Sequence, residues 1–188
     1  MDTVTQGKLF IVTGAEGSGK TSVIAELAKV FSFYQVTYLS TRAVPEKGTV
    51  VAKWDKFKDL AEKDQFILSY QKKDYLTGAT HEEIAKAEKS GLPIVWEIDI
   101  KYFEGIKNEF PEAKVILING VGFEGFYEHL KSSGQTVPAA MALQAKRSAA
   151  QNKMLHQSVD FVVENRKGES AKAAERIKEI ITKSQVRT

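Results

Sequence analysis

Continuous apolar runs, rather than alternating ones, punctuate this chain. Leu9-Phe10-Ile11-Val12, the stretch Leu92 to Ile98, the stretch Lys114 to Ile118 and the stretch Asp160 to Val163 each read as a short strand, with Val36 to Leu39 as a further one. A run that is apolar at successive positions puts side chains on both faces of a pleat, so both faces must be covered. Between these runs the apolar positions recur at helical spacing. Ile24, Leu27, Ala28 and Phe31 share one face of a helix spanning Ser22 to Phe31, and Ala171, Ala174, Ile177 and Ile181 form the stripe of a C-terminal helix. Asp55 to Leu68 starts helical (Phe57, Leu60, Ala61) and turns extended at Phe66-Ile67-Leu68. Thr80 is placed to cap a helix from His81 to Lys89, whose first turn carries Glu82 and Glu83, where the helix dipole favours acids. Tyr102 to Phe110 is helical and stopped by Pro111, and Gly122 to Leu130 and Val137 to Leu155 are helix-prone. Gly78 is read as a turn, and Trp54 and Trp96 as core residues. Strands alternating with helices predict an α/β fold around a parallel sheet covered on both faces.

The turn after the first strand carries the densest chemistry. Gly14-Ala15-Glu16-Gly17-Ser18-Gly19-Lys20-Thr21 fits G-x-x-x-x-G-K-[ST], and it sits between a strand and a helix, the context that motif requires. Glycines let the backbone wrap a phosphate chain without a Cβ in the way. The loop N–H groups and the N-terminus of the next helix then form an anion cradle. Lys20 supplies a mobile charge for the β- and γ-phosphates, and the Thr21 hydroxyl is placed to ligate Mg²⁺. In an open α/β sheet, ligands sit beyond the carboxyl ends of the strands. The glycine loop, Arg42, Asp99 and Asn165 all follow strand ends, which predicts that they share one rim.

Composition narrows the class without changing it. The 188 residues suit one domain, or one domain with a mobile insert. A hydrophobic content of 43% and a charged content of 27% are those of a soluble globular chain. No apolar run reaches the roughly 20 residues that span a bilayer, and Met1 to Lys8 lacks the apolar centre of a signal peptide. With no cysteine, disulfides and thiolate metal sites are excluded. A cytoplasmic setting is the expectation. The net charge of +3 is compatible with anionic small molecules and does not demand nucleic acid, which usually needs a clustered basic face. His81, His129 and His156 show no metal-ligand spacing.

The ordered motifs resemble those of the guanylate kinases, in the nucleoside monophosphate kinase group of P-loop proteins. Lys8 to Val12 with the glycine loop resembles the family's start, and Ser40-Thr41-Arg42 resembles the S/T-T-R after its second strand. Asp55-Lys56-Phe57 through Gln65-Phe66-Ile67, then Gly78-Ala79-Thr80, resemble its monophosphate-binding subdomain. Gly91 through Glu97-Ile98-Asp99 resembles its G-x-x-x-h-h-D-h-D, Lys146 to Ala150 resembles the segment after its lid, and Val162 to Asn165 resembles its late strand. The resemblance implies a P-loop three-layer α/β fold with a parallel sheet, plus an acceptor subdomain and a lid. The core would comprise residues 1–39, 91–121 and 148–188, the acceptor subdomain 40–90 and the lid 122–147. It implies ATP and Mg²⁺ as cofactors, small nucleotides rather than nucleic acid or membrane as partners, a monomer or homodimer, and transfer of the ATP γ-phosphate to GMP or dGMP.

Carried over by position, the resemblance gives Lys20, Arg42 and Asp99 catalytic roles. It assigns Gly14, Glu16, Gly17, Ser18, Gly19, Lys20, Thr21, Arg147 and Asn165 to the nucleotide and Thr21 to the metal. Arg42 is a bidentate clamp for the acceptor phosphate or a solvated turn arginine. Asp99 orients a metal-bound water or Arg42, or is a plain strand-end carboxylate, and Glu97 shares its face of the strand. Lys146 and Arg147 are lid-side cations or an exposed basic face; Asn165 is an adenine-side contact or a cap or turn residue. The acceptor half departs from the family. Its second arginine falls on Pro45, one tyrosine near Thr49, the guanine-reading glutamate on Leu68, the second tyrosine on Thr77 beside Tyr75, and the lid arginines near His129 and Ser133. A leucine cannot make a carboxylate's hydrogen bonds to a base. Two alternatives therefore stand beside the GMP reading: a kinase of the same fold acting on a modified pyrimidine monophosphate or a sugar phosphate, and a non-catalytic binding module. Tyr70 or Tyr75 could rebuild the lost guanine contacts.

Overall fold

A computed structural model describes residues 8–45, 47–72, 74–120 and 158–185, with isolated positions between 127 and 143. In chain order the elements are β1 (Leu9–Thr13), α1 (Lys20–Val30), β2 (Tyr34–Gln35), β3 (Tyr38–Ser40), β4 (Thr49–Val51), α2 (Trp54–Glu62) and β5 (Phe66–Lys72). There follow β6 (Tyr75–Thr80), α3 (His81–Lys89), β7 (Ile94–Glu97), α4 (Phe103–Glu109), β8 (Lys114–Gly120), β9 (Phe161–Asn165) and α5 (Ser170–Gln185).

The apolar runs do what their continuity requires. β1, β2, β7, β8 and β9 form a five-stranded sheet in the order β2-β7-β1-β8-β9, every neighbouring pair parallel. The pleat divides the runs of β1, β7 and β8 between two cores, whereas β9, at the sheet edge, gives Phe161 and Val163 to one core and leaves Val162 exposed. Leu9, Ile11, Ile94, Trp96, Val115 and Leu117 pack with Ile84 and Ala87 of α3 and Phe103 and Ile106 of α4. Phe10, Val12, Val95, Ile116, Ile118 and Val163 pack with Val23, Ile24 and Leu27 of α1 and Ala173, Ala174, Ile177 and Ile181 of α5. β1 is the middle strand, so the loop that follows it emerges at the centre of the carboxyl rim.

A second, four-stranded sheet, ordered β4-β3-β6-β5, stands beside the first. Here β3 pairs parallel with β4, while β6 runs antiparallel to both β3 and β5. Phe57 of α2 stacks on Phe66 of β5 with ring centroids 4.4 Å apart.

Several local expectations are corrected. Val36 to Leu39 is not one strand: β2 belongs to the first sheet and β3 to the second. The break falls at Thr37, whose N–H and hydroxyl both donate to Glu83 Oε1, at 2.9 and 2.7 Å, instead of to a strand neighbour. Gly78 is not in a turn but inside β6, where a Cβ would lie 2.7 Å from a Phe66 ring carbon and 2.8 Å from the Leu68 carbonyl oxygen. Trp96 is fully buried, whereas Trp54, the first residue of α2, is 47% exposed. Ala28 and Ala171 face solvent; Val23 and Ala173 take their places in the apolar stripes. The Thr80 cap forms as read, its side chain accepting from Glu83 N–H at 3.2 Å. The stretches expected as a lid (122–147) and as an alanine-rich helix (137–155) lie largely outside the described residues, and Lys146, Arg147, His129 and Ser133 wholly so.

Candidate active site

The glycine loop is shaped by positive backbone angles and by what lies beneath it. Gly19 caps α1 at φ 87°, in the left-handed region that favours glycine, and passes the chain straight into the helix. Ser18 N–H donates to the Ala15 carbonyl at 3.1 Å and closes the turn. The loop rests on two later strands. Asn165, at the end of β9, donates its side-chain N–H to the Ser18 carbonyl at 2.8 Å and accepts from the Ser170 hydroxyl at 3.3 Å. Gly120, at the end of β8, lies so close to Ser18 that a Cβ would come within 2.8 Å of its backbone carbons.

Lys20 and Thr21 begin α1 at the mouth of the loop. The Lys20 ammonium donates to the Gly14 and Ala15 carbonyls at 2.8 and 3.0 Å, which holds it along the cradle. The Thr21 hydroxyl donates to Glu97 Oε1 at 2.8 Å, joining the loop to the end of β7. Two residues on, Asp99 accepts from Lys101 N–H at 3.1 Å through its carboxylate, and from Tyr102 N–H at 2.9 Å through its carbonyl, so a tight turn fixes it on the rim.

A cleft of about 660 Å³ runs from this loop to the second sheet. Glu16, Gly17, Gly19, Lys20, Thr21, Glu97 and Asp99 line one side; Tyr38, Thr49, Tyr70, Tyr75 and Thr77 line the other. Tyr38 ties the sheets together: its hydroxyl donates to the Glu97 carbonyl at 2.8 Å and accepts from the Trp96 indole N–H at 2.9 Å. Burial, reinforced by neighbouring acids, holds that phenol well above the usual tyrosine range. Tyr70 stacks on Tyr102, centroids 4.5 Å apart and planes within 24°. Burial and then the Asp99 charge push its hydroxyl up to about 12.

The predicted single rim is only partly realised. Lys20, Thr21, Asp99 and most of the loop meet in the cleft. Arg42 instead follows β3 of the second sheet, with its guanidinium over the Tyr75 ring 5.6 Å from the centroid, so it reaches the cleft wall through a tyrosine. Asn165, Gly14 and Ser18 form the floor of the loop rather than the lining. Arg147 lies outside the described residues. Sequence reasoning passed over Glu97 as a partner of Thr21, and Tyr38, Tyr102 and Gly120 altogether. The shared face of Glu97 and Asp99 was the one signal pointing to any of them.

The donor set suits a hard cation. The Thr21 hydroxyl, Glu97 and Asp99 offer oxygen only, and among the described residues no cluster of three or more His, Cys, Asp or Glu stands ready to hold a metal alone. That fits an ion that keeps several waters and is shared with phosphate oxygens. Among the described residues no helix is long and apolar enough to cross a membrane.

Comparison with known proteins agrees with this geometry. The family model for guanylate kinase matches residues 6–184. A guanylate kinase of Gloeobacter violaceus is 23% identical over 176 residues, covering 90% of this chain and 86% of the relative. One of Escherichia coli is 26% identical over 171 residues, covering 86% and 82%. The crystal structure of guanylate kinase from Anaplasma phagocytophilum superposes with a TM-score of 0.64 at 16% identity, over 94% of this chain and 85% of that one, a likeness of fold. With the family model spanning both sheets and the loop between them, the chain belongs to the guanylate kinase family.

Proposed function

We propose that this chain transfers the γ-phosphoryl group of ATP to GMP or dGMP. As a member of its family it is a nucleoside monophosphate kinase. The observation that carries the reading is the cleft itself: a phosphate-binding loop with Lys20 and Thr21 faces a second, polar and aromatic wall across one continuous space. One wall suits a nucleoside triphosphate, the other a phosphorylated acceptor. A match over residues 6–184 to guanylate kinases does not favour the alternatives of another acceptor class or a non-catalytic module.

Each residue has a definite task in this reading. Loop N–H groups and the α1 N-terminus hold the donor phosphates. Lys20 exchanges its loop carbonyls for phosphate oxygens and neutralises charge on the transferred group. Thr21, steadied by Glu97, would ligate Mg²⁺, which when bound neutralises charge across the β- and γ-phosphate oxygens. Arg42, propped on Tyr75, clamps the acceptor phosphate, and Asp99 orients groups on the rim. The second sheet serves as the acceptor subdomain and residues 122–147, which end on Arg147, as the lid. No covalent intermediate is required, since in-line positioning supplies much of the catalysis.

A coupled ADP-release assay with ATP and Mg²⁺ tests the proposal against GMP, dGMP, AMP, UMP, dTMP and a sugar-phosphate panel. The expected result is turnover highest with GMP or dGMP. A clear preference for any other acceptor, or silence across the panel while ATP binds, would overturn it.

A further inference from the structure

The acceptor wall lacks the family's guanine-reading carboxylate, and the position where it falls, Leu68, packs against the core beside Ile67. The same strand, two residues on, presents Tyr70 to the cleft. Its ring is braced by Tyr102 of the rim turn, also a cleft residue. Tyr38 and Tyr70 differ in one decisive respect. The Tyr38 hydroxyl is committed to Trp96 and Glu97. Among the described residues no hydrogen bond occupies the Tyr70 hydroxyl. A half-buried phenol that lines a cleft with its hydroxyl uncommitted is available to a ligand.

The surroundings decide which part of the ligand. The charges acting on this hydroxyl are those of Asp99 and Glu97, together with the neighbouring phenols Tyr102 and Tyr75. Arg42, held over the Tyr75 ring, is the cation for the acceptor phosphate, which leaves the Tyr70 hydroxyl for another part of the ligand. A base edge fits better. A neutral O–H donor in a cleft that Asp99 also lines suits an edge that presents both an acceptor and an N–H donor, as a 6-oxopurine does with O6 and N1–H. Adenine presents the reverse order at those positions and is mismatched.

We propose that Tyr70 is the specificity-determining residue of the acceptor site, its hydroxyl donating to the O6 of a 6-oxopurine nucleotide while Tyr102 holds the ring in place. This rests on the reading of the chain as a nucleoside monophosphate kinase. The neutral phenol does here what an ionised side chain would otherwise do, and it does so from a neighbouring position of the same strand.

The test is Tyr70→Phe, which keeps the ring and its stack. Steady-state kinetics with GMP, IMP and AMP at saturating ATP are paired with calorimetric titration of each monophosphate in the absence of ATP. The expected result is about a five- to tenfold weaker KM and Kd for both GMP and IMP, with AMP, the KM for ATP and the thermal midpoint unchanged. Equal affinities in wild type and variant would overturn the proposal, as would equal losses for GMP and AMP. If wild type binds GMP without phosphorylating it, the kinase reading fails and the binding ratios alone decide for or against Tyr70. If wild type binds neither GMP nor IMP, the Tyr70 assignment is overturned whatever else the protein phosphorylates.

Discussion

Lys20 and Asn165 both serve the phosphate loop, but from opposite sides. Lys20 faces the cleft and would meet the transferred phosphoryl group. Lys20→Ala is therefore expected to lower kcat by about 10² to 10³-fold, the scale of losing a preorganised charge at a reacting oxygen, with little change in the thermal midpoint. Asn165 is buried and holds the Ser18 carbonyl from below. Asn165→Ala should instead cost about 1–3 kcal/mol of stability by leaving that carbonyl unpaired, read by urea denaturation, and should raise the KM for ATP as the loop loosens. The phosphate side of the site was legible because its constraints are local: three glycines, a lysine and a hydroxyl lie within eight consecutive positions. The acceptor side was not. Thr21 meets Glu97, Tyr38 meets Trp96 and Tyr70 meets Tyr102 only because two sheets bring distant segments together, and no spacing in the chain announces those pairs.

At the scale of elements, the strand ends of the first sheet act as a platform for the loop. Gly120 lets β8 run under Ser18, and any side chain there meets backbone rather than a flexible tip. Gly120→Ala is expected to destabilise the fold by about 1–3 kcal/mol through overpacking and to weaken ATP more than GMP, measured by titrating each nucleotide separately. Of this platform, β1, β7 and β8 were readable from continuous apolar runs, as strands buried on both faces must be, whereas β2, Tyr34–Gln35, carries no such run and lay outside the strand expected at Val36 to Leu39. The second sheet was harder. β3 and β4 are three residues each, β4 carries Val50 and Val51 outward, and β6 contains a glycine that mimics a turn signal. The break at Thr37 depends on a carboxylate from α3, a partner invisible to any local window.

For the whole molecule, the buried phenols set the alkaline limit. Burial raises Tyr38 well above the ordinary range and brings Tyr70 up to about 12. Both folded values exceed that of the unfolded chain, about 10. The stabilisation they carry is thus fully present below about pH 10 and is lost as pH rises toward and through the folded values. The thermal midpoint should fall above about pH 10, and Tyr70→Phe should make that fall shallower. Between neutrality and that limit Tyr70 keeps its proton, so the KM for GMP should not follow this group.

The central claim is that the phosphoryl group reaches a nucleotide rather than water, and phosphorus NMR tests it most directly. ATP, Mg²⁺ and GMP are incubated with the protein, with Lys20→Ala run in parallel. The β-phosphate signal of GDP is expected to grow one for one with loss of the ATP γ-phosphate, and the variant to slow both together. Loss of ATP to inorganic phosphate without GDP, or no change in either nucleotide, would contradict it.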